Sequence, residues 1–216
     1  MLVAFETLHY LKRKTQGKSG YMALKLDMSK AYDRVEWKFL EKVMLRLGFS
    51  GSFVSIIISC IKSISYALLF NGEPVGHIKP SRGLCRGDPL SPYMFLLCAI
   101  GLQGLLHKAE TEGAIQGVSI CRNEPRVSHI FFADDSVLFC RAKEVECQVI
   151  QNLLAIYERG SGQKINKDKT NLFFNSNTHQ DVQFNNSLVY LPSETLKNIW
   201  GFQPLWVEVK NKASLT

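Results

Sequence analysis

The chain has 216 residues, enough for one domain or one and a fragment, and its 26 Lys and Arg against 19 Asp and Glu leave a net charge of +7. With 46% hydrophobic, 11% aromatic and 21% charged residues it is able to bury a sizeable core, which excludes a disordered basic tail. A globular, basic protein is expected to meet polyanions, and no membrane partner is expected, because Lys62, or Gly101 and Gln103, interrupt the apolar stretches 53–70 and 93–106 before spanning length.

Leu2, Phe5, Leu8 and Leu11 recur at helical spacing, and Lys12-Arg13-Lys14 suits the negative end of that helix's dipole. Glu6 falls early and no small-residue cleavage site follows, so a signal peptide is not expected. After a polar turn, Tyr21 to Asp27 alternates as a strand, with Met22, Leu24 and Leu26 on one face and Tyr21, Ala23, Lys25 and Asp27 on the other. Asp27 therefore stands at a strand end. Asp33 and Glu36 match a capping box, which predicts a helix from Asp33 whose stripe Phe39, Leu40, Val43, Met44 and Leu47 is closed by Gly48. A second helix is expected over 52–64.

Residues 66–70 and 75–78 around Asn71-Gly72 read as a β-hairpin, since Asn-Gly accepts the positive φ angles of a type I′ turn. Next, Pro80 to Pro92 packs two glycines, three prolines and two arginines into thirteen residues and opens an apolar helix to about Lys108. A second hairpin joins 127–133 to 136–140 around Asp134-Asp135. Val145, Val149, Ile150, Leu153, Leu154 and Tyr157 form an amphipathic helix ending near Gly160, and the last strand is 170–174. After the opening helix the expected order is β-α-α-β-β-α-β-β-β-α-β, an α+β layout. Beyond Asn175 no periodicity is evident.

Six cysteines at 60, 85, 98, 121, 140 and 147 include no C-x-x-C pair, and no His stands at zinc-ligand spacing. Most lie in apolar runs, which predicts small buried hydrophobes in a reducing, intracellular setting.

Three places carry candidate chemistry. Two adjacent carboxylates at the tip of an apolar hairpin repel one another unless a cation lies between them, and Mg²⁺ accepts hard oxygen ligands while keeping waters and substrate phosphates; Asp-Asp is also ordinary turn chemistry. Asp27 either caps the following turn or brings a third carboxylate from over a hundred residues away, as two-metal phosphoryl-transfer sites require. In the loop, Gly83 and Gly87 let backbone approach a ligand, Arg82 and Arg86 offer forked donors to phosphate, and the helix from Ser91 presents its N-terminus. The same composition also suits a rigid connector with solvated arginines.

Lys25-Leu-Asp-Met-Ser-Lys-Ala-Tyr-Asp-Arg-Val35, Ser81-Arg-Gly-Leu-Cys-Arg-Gly-Asp-Pro-Leu-Ser-Pro-Tyr-Met-Phe95 and His129-Ile-Phe-Phe-Ala-Asp-Asp-Ser-Val-Leu-Phe139 occur in this order, followed by Gly162-Gln-Lys-Ile-Asn-Lys-Asp-Lys-Thr170. Together they resemble the reverse transcriptase domain of non-LTR (LINE-type) retrotransposons, particularly those of plant genomes, over the first 177 residues. The resemblance implies a polymerase palm, an antiparallel sheet packed on helices, with incomplete fingers and no complete thumb. It implies RNA-directed DNA synthesis from a primer 3′-hydroxyl on an RNA template, with deoxynucleoside triphosphates as substrates and a nuclear location. Two Mg²⁺ ions, or Mn²⁺ in their place, would be held by Asp27, Asp134 and Asp135, with Asp135 in the weaker or supporting role. Tyr32 would place an aromatic ring beneath the sugar of the incoming nucleotide, and Lys169 would contact phosphate or protonate the leaving pyrophosphate.

Four departures qualify that picture. The family's initial fingers blocks, which help hold template and triphosphate, would stand before the opening helix and are expected to be missing. Cys85-Arg86-Gly87-Asp88 puts Arg86 where the family has Gln, a donor only in place of a donor and acceptor. Val189-Tyr-Leu-Pro192 is a shortened echo of the family's next block, so residues 178–216 are expected to be a divergent tail. No endonuclease or RNase H segment is seen. A chain shortened at both ends predicts weak or absent catalysis, and the alternative function is a catalytically silent remnant that binds nucleic acid without specificity. A nucleotide cyclase-like enzyme is disfavoured, because the Arg-Gly-Asp-Pro-Leu-Ser-Pro loop has no place in one.

Overall fold

The computed structural model describes residues 2–15, 17, 19–121, 125–132 and 135–178. Its elements are α1 (Leu2–Arg13), β1 (Tyr21–Leu26), α2 (Trp37–Arg46), α3 (Gly51–Lys62), β2 (Tyr66–Phe70), β3 (Glu73–Ile78), α4 (Ser91–Thr111), β4 (His129–Phe132), β5 (Asp135–Arg141), α5 (Glu144–Ser161) and β6 (Asn171–Phe174). Between α4 and α5 an isolated bridge, Val118 with Val127, stands in place of a third strand.

β1 is interior to an antiparallel sheet of order β4-β5-β1-β6. It pairs β5 from Tyr21↔Arg141 to Leu26↔Ser136, and β6 from Met22↔Phe174 to Lys25↔Asn171. The alternation read in the sequence divides its side chains between two cores. Met22, Leu24 and Leu26 pack with Leu102 and Leu106 of α4 and Ile150 and Leu154 of α5, while Ala23 packs with Val137, Phe139 and the α1 residues Leu8 and Leu11. A third core gathers Leu40 and Met44 of α2, Val54 and Ile58 of α3, and Met94, Phe95 and Cys98 of α4. Helix α4 thus serves two cores with successive turns, and α2 reaches it closely at Gly101, where a Cβ would lie 2.6 Å from the Phe39 ring.

Two helical expectations change. The buried face of α1 is Ala4, Thr7, Leu8 and Leu11, whereas Phe5 is 59% exposed and stacks on His9 instead. Helix α2 begins at Trp37, four residues after Asp33, and its N-cap Glu36 makes no side-chain capping bond. The reason is tertiary: residues 29–36 form turns fastened to other segments, with the Glu36 N–H donating to the Ser161 carbonyl at 2.8 Å and the Ser29 N–H to the Lys164 carbonyl at 2.8 Å.

The hairpin β2–β3 turns through Asn71 (φ 50°) and Gly72 (φ 84°), as Asn-Gly predicts. It stands apart from the sheet, and every residue of both strands is exposed. Among the cysteines, Cys98, Cys140 and Cys147 are buried, Cys85 is half-buried, and Cys60 and Cys121 are exposed. Burial pushes the Cys98 thiol up to about 12, and burial, aided by the Glu146 carboxylate, pushes Cys147 up to about 11. No helix among the described residues is long and apolar enough to cross a membrane. The fold continues through Thr178, which is buried and approaches the Tyr21 carbonyl at 3.5 Å; the Val189-Tyr-Leu-Pro192 echo and the rest of the expected tail lie outside the described residues.

Candidate active site

Asp27 follows the last residue of an interior strand. Its backbone is held from the β6 side: its N–H reaches Thr170 Oγ1 at 3.3 Å, and its carbonyl accepts from the Asn166 N–H at 2.8 Å. Its half-buried carboxylate has no hydrogen-bond or ion-pair partner among the described residues. On the other flank, one further step along the β1–β5 register sets Asp27 beside Asp135, the first residue of β5. β4 and β5 remain paired to their ends through Phe132↔Asp135, and Ala133 and Asp134 between them lie outside the described residues. On the β6 side the register ends at Lys25↔Asn171 and resumes at the Met28↔Ile165 bridge, so exposed residues 167–169, Lys169 among them, loop out in a turn whose Asn166 and Thr170 hold the Asp27 backbone. The ends of β1 and β5 therefore set Asp27 beside the start of β5, with Lys169 in the turn that holds the Asp27 backbone.

Past Asp27 the chain turns sharply, and the Pro80–Pro92 loop is fastened to that turn. Leu84 N–H donates to the Tyr32 carbonyl at 2.9 Å, Gly83 N–H to Val35 at 2.8 Å, and Trp37 Nε1 to the Gly83 carbonyl at 2.7 Å. Gly83 is required twice: its φ is +90°, and a Cβ there would lie 2.8 Å from the Asp33 carbonyl oxygen. Gly87, at φ +88°, faces open space. Asp88 Oδ1 accepts from Leu90 N–H at 2.7 Å, shaping the entry into α4.

The side chains sort as follows. Tyr32 is half-buried and stacks on Phe95 of α4, centroids 4.9 Å apart and planes 13° apart. Arg82 pairs with Glu36 at 3.5 Å and Arg86 with Asp33 at 3.6 Å, both pairs largely exposed. The carboxylates read in the sequence as a helix cap are thus partners of the loop arginines. Exposed pairs of this kind contribute at most about 1 kcal/mol, so a competing polyanion readily displaces them. Beside them a cleft of about 410 Å³ is walled by Arg82, Arg86, Asp33, Ile61, Ile64 and Tyr66, among others, but not by Asp27 or Tyr32. The Tyr66 hydroxyl is raised above its ordinary range by its hydrogen bond with Cys85, then by burial.

Sequence reasoning did not find Thr170, Asn166, Trp37 or Phe95 as parts of this site. Thr170, Asn166 and Phe95 fall inside the quoted motifs, but nothing local announces a contact with a strand end 143 residues away.

The sequence profile of the family described as "Reverse transcriptase (RNA-dependent DNA polymerase)" matches residues 2–197. An uncharacterized mitochondrial protein of Arabidopsis thaliana is 39% identical over 111 residues, half of this chain and 90% of that protein. The Pol polyprotein of the type-1 retrotransposable element R2 of Popillia japonica is 27% identical over 162 residues, 74% of this chain and 25% of the polyprotein. That of the type-2 element R2DM of Drosophila melanogaster is 30% identical over 153 residues, 70% of this chain and 13% of the polyprotein. The chain thus spans most of the plant protein but a quarter or less of these two polyproteins. Among solved structures, telomerase from Candida albicans in complex with a fragment of telomeric RNA superposes with a TM-score of 0.56 at 18% identity, covering 82% of this chain and 30% of that one. Apo telomerase from Candida tropicalis truncated from its C-terminal domain also gives 0.56, at 15% identity, covering 81% of this chain and 35% of that one. The antiparallel sheet packed on helices is the fold that this chain shares with those telomerases.

Proposed function

This chain belongs to the reverse transcriptase family, and from that premise we propose that it is an RNA-directed DNA polymerase domain, transferring nucleotidyl groups from deoxynucleoside triphosphates to a primer 3′-hydroxyl on an RNA template. The observation that carries the reading is Asp27: a half-buried carboxylate, without a partner among the described residues, at the end of an interior strand and level with Asp135 in register. A hard oxygen donor so placed suits a divalent cation. Asp27, Asp134 and Asp135 would hold two Mg²⁺ or Mn²⁺ ions, which when bound lower the pKa of an attacking hydroxyl and brace an in-line displacement at phosphorus.

The remaining roles belong to the chain's own side chains. Tyr32, immobilised against Phe95, bars a 2′-hydroxyl by steric contact. Arg82 and Arg86 exchange Glu36 and Asp33 for phosphate oxygens, with Gly87 leaving room for backbone approach. Lys169, in the turn that holds the Asp27 backbone, neutralises the departing pyrophosphate or gives it a proton. One feature favours a second reading, binding without catalysis: Arg86 supplies only donors where the family has Gln.

Primer extension on poly(rA)/oligo(dT) with dTTP and Mg²⁺ separates the two. Incorporation that falls at least about 100-fold in Asp27→Asn and in Asp134→Asn is the expected result. No incorporation by folded wild-type protein, with RNA affinity that falls steeply as salt rises, would leave binding alone.

A further inference from the structure

The turn bearing Tyr32 is fastened from the protein interior by a buried amide. Gln163, 2% exposed, donates from Nε2 to the Ala31 carbonyl at 3.2 Å, one residue before Tyr32, and accepts at Oε1 from the Tyr157 hydroxyl at 2.5 Å. Its own N–H donates to Ser161 Oγ at 3.2 Å. The amide has one workable orientation, because turning it over would set its oxygen against the Ala31 carbonyl oxygen. Tyr157, on α5, also lies 3.2 Å from the Cys98 carbonyl of α4 and meets the Phe39 ring of α2 edge-on at 5.9 Å. Burial holds its hydroxyl well above the usual phenol range, so it remains a neutral donor.

The backbone around Gln163 lies flush against the same turn. Gly162 has φ +76°, and a Cβ there would lie 2.5 Å from the Arg34 carbonyl oxygen. Residues 161–164 therefore press on the inner side of the turn, while the Pro80–Pro92 loop holds its outer side through Leu84 N–H and the Tyr32 carbonyl. Tyr32 is gripped at its ring by Phe95, at its own carbonyl by Leu84, and at the preceding carbonyl by Gln163. The last is made by one side chain away from the sheet, so a single substitution removes it.

We propose that Gln163 is a positioning residue that sets the height of the Tyr32 ring and so tunes the choice between deoxyribo- and ribonucleotides. The inference rests on Tyr32 acting as the sugar-side filter. Steric selection depends on ring placement at the sub-ångström scale, and loss of the Ala31 bond frees the turn to rise or sink on its inner side.

The test is primer extension by the full chain on poly(rA)/oligo(dT), comparing kcat/KM for dTTP with that for UTP. Gln163→Leu, close in size and without donors, is expected to lower the dTTP/UTP ratio about tenfold. Tyr157→Phe, which leaves the bond to Ala31 in place, should lower it less. Partial unfolding reduces both substrates alike and leaves the ratio unmoved, so an unchanged ratio in Gln163→Leu overturns the proposal. If wild-type protein extends with neither substrate, the polymerase reading fails on its own account and amide hydrogen exchange decides this one. The Leu84 N–H, bonded to Tyr32, should then exchange about tenfold faster in Gln163→Leu while the Phe139 N–H, bonded to the Ser128 carbonyl at 2.7 Å, keeps its protection. Equal acceleration at both amides would mark a general loss of stability and overturn the inference.

Discussion

β1 and the β2–β3 hairpin are built from similar residues and arrive at opposite environments. In Tyr21–Leu26 four of six residues are buried, whereas in Tyr66–Phe70 none is, although that run holds two leucines and a phenylalanine. The hairpin needs only its neighbours: Asn71-Gly72 reverses the chain and the strands pair at once. β1 has no partner nearby in sequence and pairs with residues 136–141 and 171–174. The strand that carries Asp27 is thus the one whose place is decided by the rest of the molecule, and that dependence is what lets a sheet collect carboxylates from distant motifs.

Three substitutions or conditions break or sharpen this contrast. The largest effect is expected from Phe139→Ala in the sheet, where the ring is fully buried. It should cost about 3–5 kcal/mol in urea denaturation, while Leu69→Ala, 77% exposed in the hairpin, should stay within about 0.5 kcal/mol. Equal losses would mean the hairpin is packed as tightly as the sheet.

A comparable effect comes from alkali. The Cys98 thiol is raised from 9.0 to about 12 in the folded chain, so the folded state binds the proton more tightly than the unfolded chain does. The stability this contributes is whole below pH 9 and is lost as pH climbs toward 12, by up to about 4 kcal/mol. Cys147, raised to about 11, adds to the loss over the lower part of that window. Denaturation curves taken at rising pH should fall steeply in wild type and less steeply in Cys98→Ala. Parallel curves would remove the thiol as the cause.

The smallest expected effect compares two glycines of similar φ. Gly83→Ala meets both a left-handed backbone and the Asp33 carbonyl at 2.8 Å, and should cost about 3 kcal/mol; Gly72→Ala, in open space at the hairpin tip, should cost about 1 kcal/mol. Thermal unfolding reads the difference. Similar costs would show that the close approach at Asp33 relaxes freely.

Much of the fold was legible because its signals are local. The 3.6-residue stripes of α2 and α5, the Asn71-Gly72 turn, and Gly48 with positive φ just past the end of α2 each act through a few neighbouring residues, whereas α5 runs beyond Gly160 to Ser161 and closes at Gly162. Where a local signal competed with distant partners, the local reading failed. Asp33 and Glu36 have the spacing of a capping box, yet Arg86 and Arg82 from the loop took their carboxylates, and the Ser161 carbonyl took the Glu36 N–H. In α1 the stripe containing Phe5 lost to the one containing Ala4 and Thr7, because the core beneath it is formed by residues of β1 and β5 that periodicity within the helix does not reveal.

The same division holds for the candidate site. Motif order alone determined the family and the residue types, since carboxylates after apolar strands and a Gly-Arg-Pro loop carry their chemistry in their identity. Only the tertiary structure decided what each one faces. Asp27 is pinned by Thr170 from 143 residues away, Arg82 meets Glu36 across 46, and Gln163 reaches Ala31 across 132. Propensity and periodicity act over one or two turns of chain, whereas these contacts exist because packing around β1 and α4 brings distant backbone within hydrogen-bond range.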